Sequence, residues 1–148
     1  MNEINDDINF KNKEIDRMKI LTKAEEQVMQ ILWELGQCTV QQALEKFDGP
    51  KPARTTIATV FSILENKGFA QHTSRGKLNI YSPVIQKDEY SKSQLFGMLK
   101  NYFDNSFASM ASFFAIENNL TVKELDELLE ETKRELENAK NKQTKTEQ

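Results

Sequence analysis

The sequence has few of the residues that form covalent or metal-bound sites. Its 148 residues include one cysteine, one histidine, three prolines and five glycines. A single cysteine excludes a disulfide within the chain, and no cysteine–histidine cluster has the spacing of a metal site. We therefore expect no metal ion and no other cofactor.

Long apolar runs are also missing. The apolar runs are a few residues long and all are interrupted by charges, so none predicts a membrane span. The first residues include Glu3, Asp6 and Asp7 without an apolar core, which is not the pattern of a secretory signal. We expect a cytoplasmic protein that does not insert into a membrane.

No combination of residues indicates an enzyme. His72 and Cys38 are far apart in sequence, and no companion motif supports nucleophilic catalysis by the pair. A glycine-rich phosphate loop is absent from the sequence. We expect His72 at the surface of a strand, and Cys38 and Trp33 in the core.

The charge is unevenly distributed. The chain has a formal net charge of −3, yet residues 49–83 contain five basic residues and one acid, Glu65, a local charge of +4. Residues 84–148 contain nine basic and twelve acidic residues, a charge of −3. An acidic protein with a local basic patch can still bind DNA, although its non-specific binding is weaker.

Three helix starts are marked by capping boxes, in which threonine is followed three positions later by glutamate or glutamine. They begin at Thr22, Thr39 and Thr121. The apolar periodicity predicts that the first helix ends before Gly36 and that the second is short. Thr39 is expected to act as a cap and need not touch a ligand.

A third helix and a hairpin follow a turn at residues 48–52. The helix is predicted over residues 53–67, and two short strands over 69–74 and 78–82 flank the basic turn "RGK". Two helices, a turn, a third helix and a basic hairpin are typical of a winged helix-turn-helix domain. The predicted fold is mainly α with a small β-hairpin wing, and the domain spans residues 20–84.

The third helix has an unusual outer face, because Thr55, Thr59, Ser62 and Asn66 lie together opposite its apolar side. Threonine lowers helix propensity, but short side chains let a helix enter the major groove, where hydroxyls and methyl groups can contact base edges. Polar residues that merely fill an amphipathic helix are the alternative, and the wing residues could be solvated turn charges. The candidate DNA-binding residues are Arg54, Thr55, Thr56, Thr59, Ser62, Arg75 and Lys77.

Three further apolar stripes predict a helical dimerisation domain over residues 85–138. They offer more apolar surface than three short helices can bury among themselves, and a second copy is the simplest cover. A compact monomeric bundle packed on the winged helix is the alternative. Residues 1–19 and 139–148 are expected to be unstructured tails, and Met18 is an alternative start. The candidate dimerisation residues are Leu95, Leu99, Phe103, Phe107, Met110, Phe113, Phe114, Leu125, Leu128 and Leu129.

Several segments resemble the penicillinase-repressor family. They are "LTKAEEQVMQILWELG", "TVQQALEKF", "RTTIATVFSILENKGF" and "GKLNIYSPVIQKDEY". The resemblance implies a homodimeric repressor whose winged helices bind a palindromic DNA operator and whose C-terminal helices form the dimer. Thr56 and Thr59 match the family's Thr-x-x-Thr, which implies DNA contact at both. Helical angles place Thr56 at the edge of the exposed face, where it is closer to phosphate than to bases.

Three departures from the family pattern bear on specificity and signal. Ile63 stands where the family often has arginine, and the C-terminal cysteines of copper-responsive members are absent, so copper sensing is not expected. Phe113-Phe114 stands near the place where penicillinase repressors are cut at an Asn-Phe bond. The resemblance implies relief by proteolysis through a membrane sensor protease. A winged-helix module that binds proteins and not DNA is the rival function.

Overall fold

The computed structural model describes residues 20–146. The expected tail over residues 1–19 and the alternative start at Met18 lie outside the described residues. The helices and strands follow one another as α1 (Lys23–Leu35), α2 (Val40–Glu45), α3 (Arg54–Asn66), β1 (Ala70–Arg75), β2 (Leu78–Pro83), α4 (Lys87–Phe103), α5 (Phe107–Glu117) and α6 (Val122–Thr146). This order confirms a mainly helical winged helix-turn-helix fold followed by further helices.

The predicted caps of the first two helices within residues 20–146 are both formed. The Thr22 side chain accepts a hydrogen bond from the Glu25 amide, and the Glu25 side chain accepts one from the Thr22 amide. Thr39 and Gln42 make the same reciprocal pair at α2. Thr39 is therefore a cap, as expected, and these boxes satisfy backbone amides that have no partner inside the helices.

The wing is an antiparallel hairpin tied to the chain before α2. Its register pairs Ala70 with Pro83 and Arg75 with Leu78. At the tip, Gly76 has a φ of 61°, a conformation that favours glycine. Tyr81 exchanges two backbone hydrogen bonds with Cys38, of 2.9 and 2.8 Å, so the segment before α2 pairs with β2.

An apolar core joins α1, α2, α3 and the hairpin. Its largest fully buried side chains are Phe61, Phe69, Met29, Leu32, Ile57, Leu64, Val28 and Cys38. Phe61 of α3 stacks on Tyr81 of β2 with ring centroids 4.1 Å apart. Cys38 is in the core as predicted, and the partly buried Trp33 packs against this core. The core therefore holds α3 and the wing in a fixed relation.

The described chain divides into two compact units, and the first ends at Met98, not at the expected residue 84. Residues after the wing belong to the core of the first unit. Tyr90 of α4 is buried there, and its ring centroid lies 5.6 Å from that of Phe69. The Tyr90 hydroxyl accepts a hydrogen bond of 3.2 Å from the Leu21 amide, and Trp33 Nε1 donates one of 2.9 Å to the Ile85 carbonyl. The start of α4 thus completes the first unit.

The second unit, from Leu99, contains the end of α4 with α5 and α6. Asp104 and Asn105 have φ values of 50° and 62°, and Ser106 then caps α5 by accepting from the Ser109 amide at 3.1 Å. The expected unstructured tail at 139–148 is wrong as far as Thr146, because α6 continues to that residue. Residues 122–146 contain neither glycine nor proline, the two residues least favourable in a helix interior.

Candidate nucleic-acid interface

The outer face of α3 is exposed where the sequence predicted. Ile57, Phe61 and Leu64 are buried on the inner face. The predicted contacts Arg54, Thr55, Thr56, Thr59 and Ser62 are all exposed. A helix fixed by its apolar face and presenting short side chains outward has the form of a recognition helix.

Two hydroxyl groups on this face donate to the helix itself. Thr59 Oγ1 donates to the Thr55 carbonyl at 2.9 Å, and Ser62 Oγ donates to the Ala58 carbonyl at 3.2 Å. A hydroxyl has one proton and two lone pairs, so each of these oxygens keeps its acceptor capacity while its proton is used. In this conformation Thr59 and Ser62 present acceptors to a ligand.

The N-terminus of α3 is open. Ala53 occupies the N-cap position and makes no side-chain hydrogen bond, and the first turn contains no acidic residue. The first backbone amides of a helix have no partner within it, and the helix dipole makes this end attractive to anions. Arg54, the first residue of α3, adds a guanidinium group at the same place.

A groove of about 300 Å³ connects this end of α3 with the wing. Arg54 and Thr55 line it from α3, and Lys77 lines it from the wing turn. Its other lining residues are Thr39, Val40, Ala58, Leu78, Asn79 and Tyr81. The structure thus brings predicted contacts from two separate segments around one concave surface.

The other predicted residues do not line that groove. Thr56 lines a neighbouring depression of about 280 Å³ with Pro52 and Val60, on the side of α3 that faces α1. This position agrees with the predicted edge of the exposed face. Arg75 is exposed at the end of β1, directly opposite Leu78 in the hairpin register.

The basic residues of this region differ in whether an acid neutralises them. Within residues 20–146, the side chains of Arg54, Arg75 and Lys77 form no ion pair, whereas Lys46 pairs with Glu34 at 3.2 Å. Lys67 contributed to the +4 charge of residues 49–83, but it pairs with the buried Glu25. Within residues 49–83, the positive charge available for DNA phosphates therefore comes from Arg54, Arg75, Lys77 and Lys51.

The Glu25–Lys67 pair holds the C-terminal end of α3 against the start of α1. Lys67 Nζ lies 3.1 Å from Glu25 Oε2 and also contacts Oε1, and the Glu25 carboxylate is 5% exposed. Burial alone raises the pKa of Glu25, but the hydrogen bonds from Lys67 and Thr22 outweigh it and leave that pKa below its ordinary value. The carboxylate is thus kept charged inside the domain.

A second link joins α3 to β1. His72 Nδ1 lies 2.7 Å from Glu65 Oε1, and the His72 ring centroid is 5.3 Å from that of Tyr81. His72 is exposed on its strand, as predicted. The acidic side chain of α3 is therefore engaged by a strand residue.

The predicted dimerisation residues differ in exposure. Leu99 is buried, while Phe103, Met110 and Leu125 are partly buried. Phe103 contacts Phe113 with ring centroids 5.6 Å apart, and α5 has no buried residue. The exposed members are Leu95, Phe107, Phe113, Phe114, Leu128 and Leu129. Leu99 is thus the member least available to a second chain.

Metal sites, membrane-spanning helices and a reactive thiol are the other features that could indicate a function. Within residues 20–146, no group of three histidine, cysteine or acidic residues is arranged to hold a metal ion. In the same range, no helix is both long and apolar enough to cross a membrane. The thiol of Cys38 is buried, which raises its pKa to about 11.

Three of these links have no signal in the sequence pattern. The Glu25–Lys67 pair joins residues 42 positions apart, and the Tyr90–Leu21 bond joins residues 69 positions apart. The bridge between Cys38 and Tyr81 is also formed by the tertiary fold. The one local signal was Glu25 in its capping box, which accounts for its bond to Thr22 and not for its burial.

Fold and surface together define a winged-helix DNA-binding protein, and comparisons with known proteins identify the family. The penicillinase repressor family matches residues 21–134, well over half of the chain. The chain belongs to this family of transcriptional repressors. The penicillinase repressor of Bacillus licheniformis is 23% identical over 109 residues, which are 73% of this chain and 85% of the relative.

A solved structure is also similar. The crystal structure of the oxidized form of MarR from E. coli matches 90% of this chain and 91% of its own, with 14% identity and a TM-score of 0.39.

Proposed function

We propose that this protein is a sequence-specific repressor that acts in the cytoplasm and binds a palindromic operator as a homodimer. The observation that carries the DNA-binding part is the groove between α3 and the wing, where Arg54, Thr55 and Lys77 meet. Arg54 and Lys77, which form no ion pair within residues 20–146, lie beside an uncapped helix end and a face of short side chains. Each of these features complements the phosphates or base edges of a major groove.

The proposed roles differ along the site. Arg54, Arg75 and Lys77 contact phosphates, together with the amides at the start of α3. Thr55, Thr59 and Ser62 face the bases, and Thr56 at the edge contacts backbone. Family membership favours this reading over a winged-helix module that binds only proteins.

A gel-shift experiment with the DNA upstream of the protein's own gene tests the proposal. We expect a discrete complex at low salt that survives an excess of random DNA. Failure to retard this DNA, with protein shown to be folded and at low salt, would exclude the repressor function. A complex that random DNA removes equally well would indicate non-specific binding only.

The homodimer is supported by the apolar surface of the second unit. Phe113 and Phe114 are each more than half exposed, and Ile116 is 72% exposed. Exposed aromatic clusters of this kind mark interaction surfaces, and a two-fold partner covers the same patch on both chains. Two linked winged helices would then bind two half-sites, the second at high effective concentration. Analytical ultracentrifugation of the full chain tests this part, and a monomer at micromolar concentration would contradict it.

Relief of repression by proteolysis, with a membrane sensor protease as partner, is the part of the proposal that rests on family membership alone. The Phe113–Phe114 bond lies inside helix α5, so a protease would need to unwind that helix locally. Mass spectrometry of the protein recovered from induced cells would locate any cut. Intact protein in cells with full derepression would exclude this mechanism.

A further inference from the structure

An apolar side chain is exposed on the recognition helix. Ile63 is 39% exposed, and it follows Thr56 and Thr59 at the i, i+3, i+7 spacing that places residues on one edge of a helix. A polar side chain there would keep its contacts with water, whereas isoleucine leaves apolar surface in contact with it. The position therefore suits a ligand with an apolar group.

The neighbour of Ile63 on this edge limits what that ligand can be. Thr59 uses its hydroxyl proton on the Thr55 carbonyl, so it offers a methyl group and an acceptor oxygen. In the major groove, an A·T pair displays the adenine amino donor, the thymine O4 acceptor and the thymine C5-methyl group in that order. An acceptor beside apolar groups complements that pair.

The charges around this edge are compatible with DNA. Arg54, Arg75 and Lys77 form no ion pair within residues 20–146. Glu65, the acidic residue of α3, is engaged by His72 at 2.7 Å. Helical angles put Glu65 on the edge of α3 opposite Ile63, so no carboxylate of this helix is beside Ile63 to repel phosphate.

We propose that Ile63 is a specificity-determining residue that packs on the C5-methyl group of a thymine in each operator half-site. This inference rests on the proposed DNA-binding function. Ile63 then selects thymine over cytosine by burying a methyl group, without a hydrogen bond to the base.

A combined change of protein and DNA tests this contact. The bound upstream fragment is mapped by footprinting, and each thymine within it is replaced in turn by uracil, which removes only the methyl group. Wild type, Ile63→Ala and the matched control Leu78→Ala are titrated against each DNA by fluorescence anisotropy. Leu78 is also apolar, lines the groove from the wing and is 52% exposed.

We expect one symmetry-related thymine position at which loss of the methyl weakens wild-type binding about fourfold per half-site, the factor for burying one methyl group. Ile63→Ala should be insensitive to uracil at that position. Leu78→Ala should retain the full sensitivity, and Ile63→Val, which keeps two methyl groups, should retain most of it. Thermal unfolding checks that each variant is folded.

Two outcomes would overturn the inference while the repressor function stands. One is specific wild-type binding that no uracil substitution weakens, and the other is equal sensitivity in wild type and Ile63→Ala. Absence of any specific wild-type complex is a different result, because it overturns the proposed function and this inference with it.

Discussion

The ammonium group of Lys67 donates to both carboxylate oxygens of Glu25 and so connects the C-cap of the recognition helix with the first turn of α1. Gly68 follows with a φ of 81°, and the Phe69 amide donates to the Leu64 carbonyl at 2.9 Å. The end of α3 is therefore fixed by an ion pair and by a glycine-containing helix stop.

Replacing Lys67 by methionine should destabilise the protein strongly, because the Glu25 carboxylate would remain buried without its cation. Removal of one partner of a buried pair costs roughly 3–5 kcal/mol, and Lys67 is 23% exposed, so we expect about 3 kcal/mol. Urea unfolding measures the change. The control Lys46→Met breaks an exposed pair with Glu34 and should cost less than about 1 kcal/mol. Equal losses in the two variants would contradict the structural role of Glu25.

Stability should also fall in acid because of Glu25. Its pKa in the folded protein lies below the ordinary value of a glutamate side chain, so the folded state binds this proton less readily than the unfolded state. The resulting stabilisation is present above the unfolded pKa and is lost as the pH falls through the folded pKa. Urea unfolding between pH 7 and pH 3 should show a smaller acid loss in Glu25→Gln than in wild type. Parallel curves would exclude this contribution.

DNA variants should separate base contacts from phosphate contacts. Thr59→Glu should weaken specific binding by roughly 1–3 kcal/mol or more, as loss of a base contact does. Arg75→Gln and Lys77→Gln should weaken binding to all sequences and lower the slope of log K against log salt by about one phosphate each. Lys46→Gln, whose cation is already paired, is the control. Equal losses on operator and random DNA for all these variants would refute the division of roles.

The thiol of Cys38 should be unreactive in the folded protein. Its side chain is 1% exposed, and its pKa is raised to about 11, so little thiolate is present at pH 8. A thiol reagent at pH 8 should therefore label the protein only as fast as it unfolds. Labelling as fast as in urea-unfolded protein would show that the bridge between Cys38 and Tyr81 is open in solution.

The two compact units suggest where to divide the chain. A fragment ending at Met98 keeps Tyr90 and its bond to the Leu21 amide, whereas one ending at Ile85 loses both. We expect the longer fragment to fold as a monomer with weak operator binding, and the shorter one to be less stable. Ultracentrifugation, thermal unfolding and DNA titration measure these differences. Undiminished operator affinity of the longer fragment would contradict a dimerising role for the second unit.

The sequence was sufficient for features that depend on neighbouring residues. Capping boxes at Thr22 and Thr39, the exposed face of α3 and the hairpin after Gly68 are confirmed, because each is set by local hydrogen bonding or by periodicity. The residues on the two sides of the groove could also be named as candidates from the sequence, because α3 and the turn at Gly76 are close in sequence.

Long-range interactions could not be predicted in this way. Tyr90 belongs to the first core although it follows Pro83, where the sequence suggested a boundary. Lys67 counts toward the basic charge of residues 49–83 in the sequence, but the tertiary fold pairs it with Glu25. The hydrogen bond that uses the Thr59 hydroxyl proton is given only by the geometry of α3. The helix beyond residue 138 was missed because its composition is polar, and polar composition alone does not prevent helix formation.

Trp33 makes the first unit optically distinct from the second. It is the only tryptophan of the chain, its indole donates to the Ile85 carbonyl, and its ring lies 5.8 Å from that of Tyr90. Tryptophan emission therefore reports the junction between α1 and the start of α4, while circular dichroism sums over the helices of both units. If the emission and dichroism transitions occur at different denaturant concentrations, the two units unfold separately, and the native protein carries the probe that shows it.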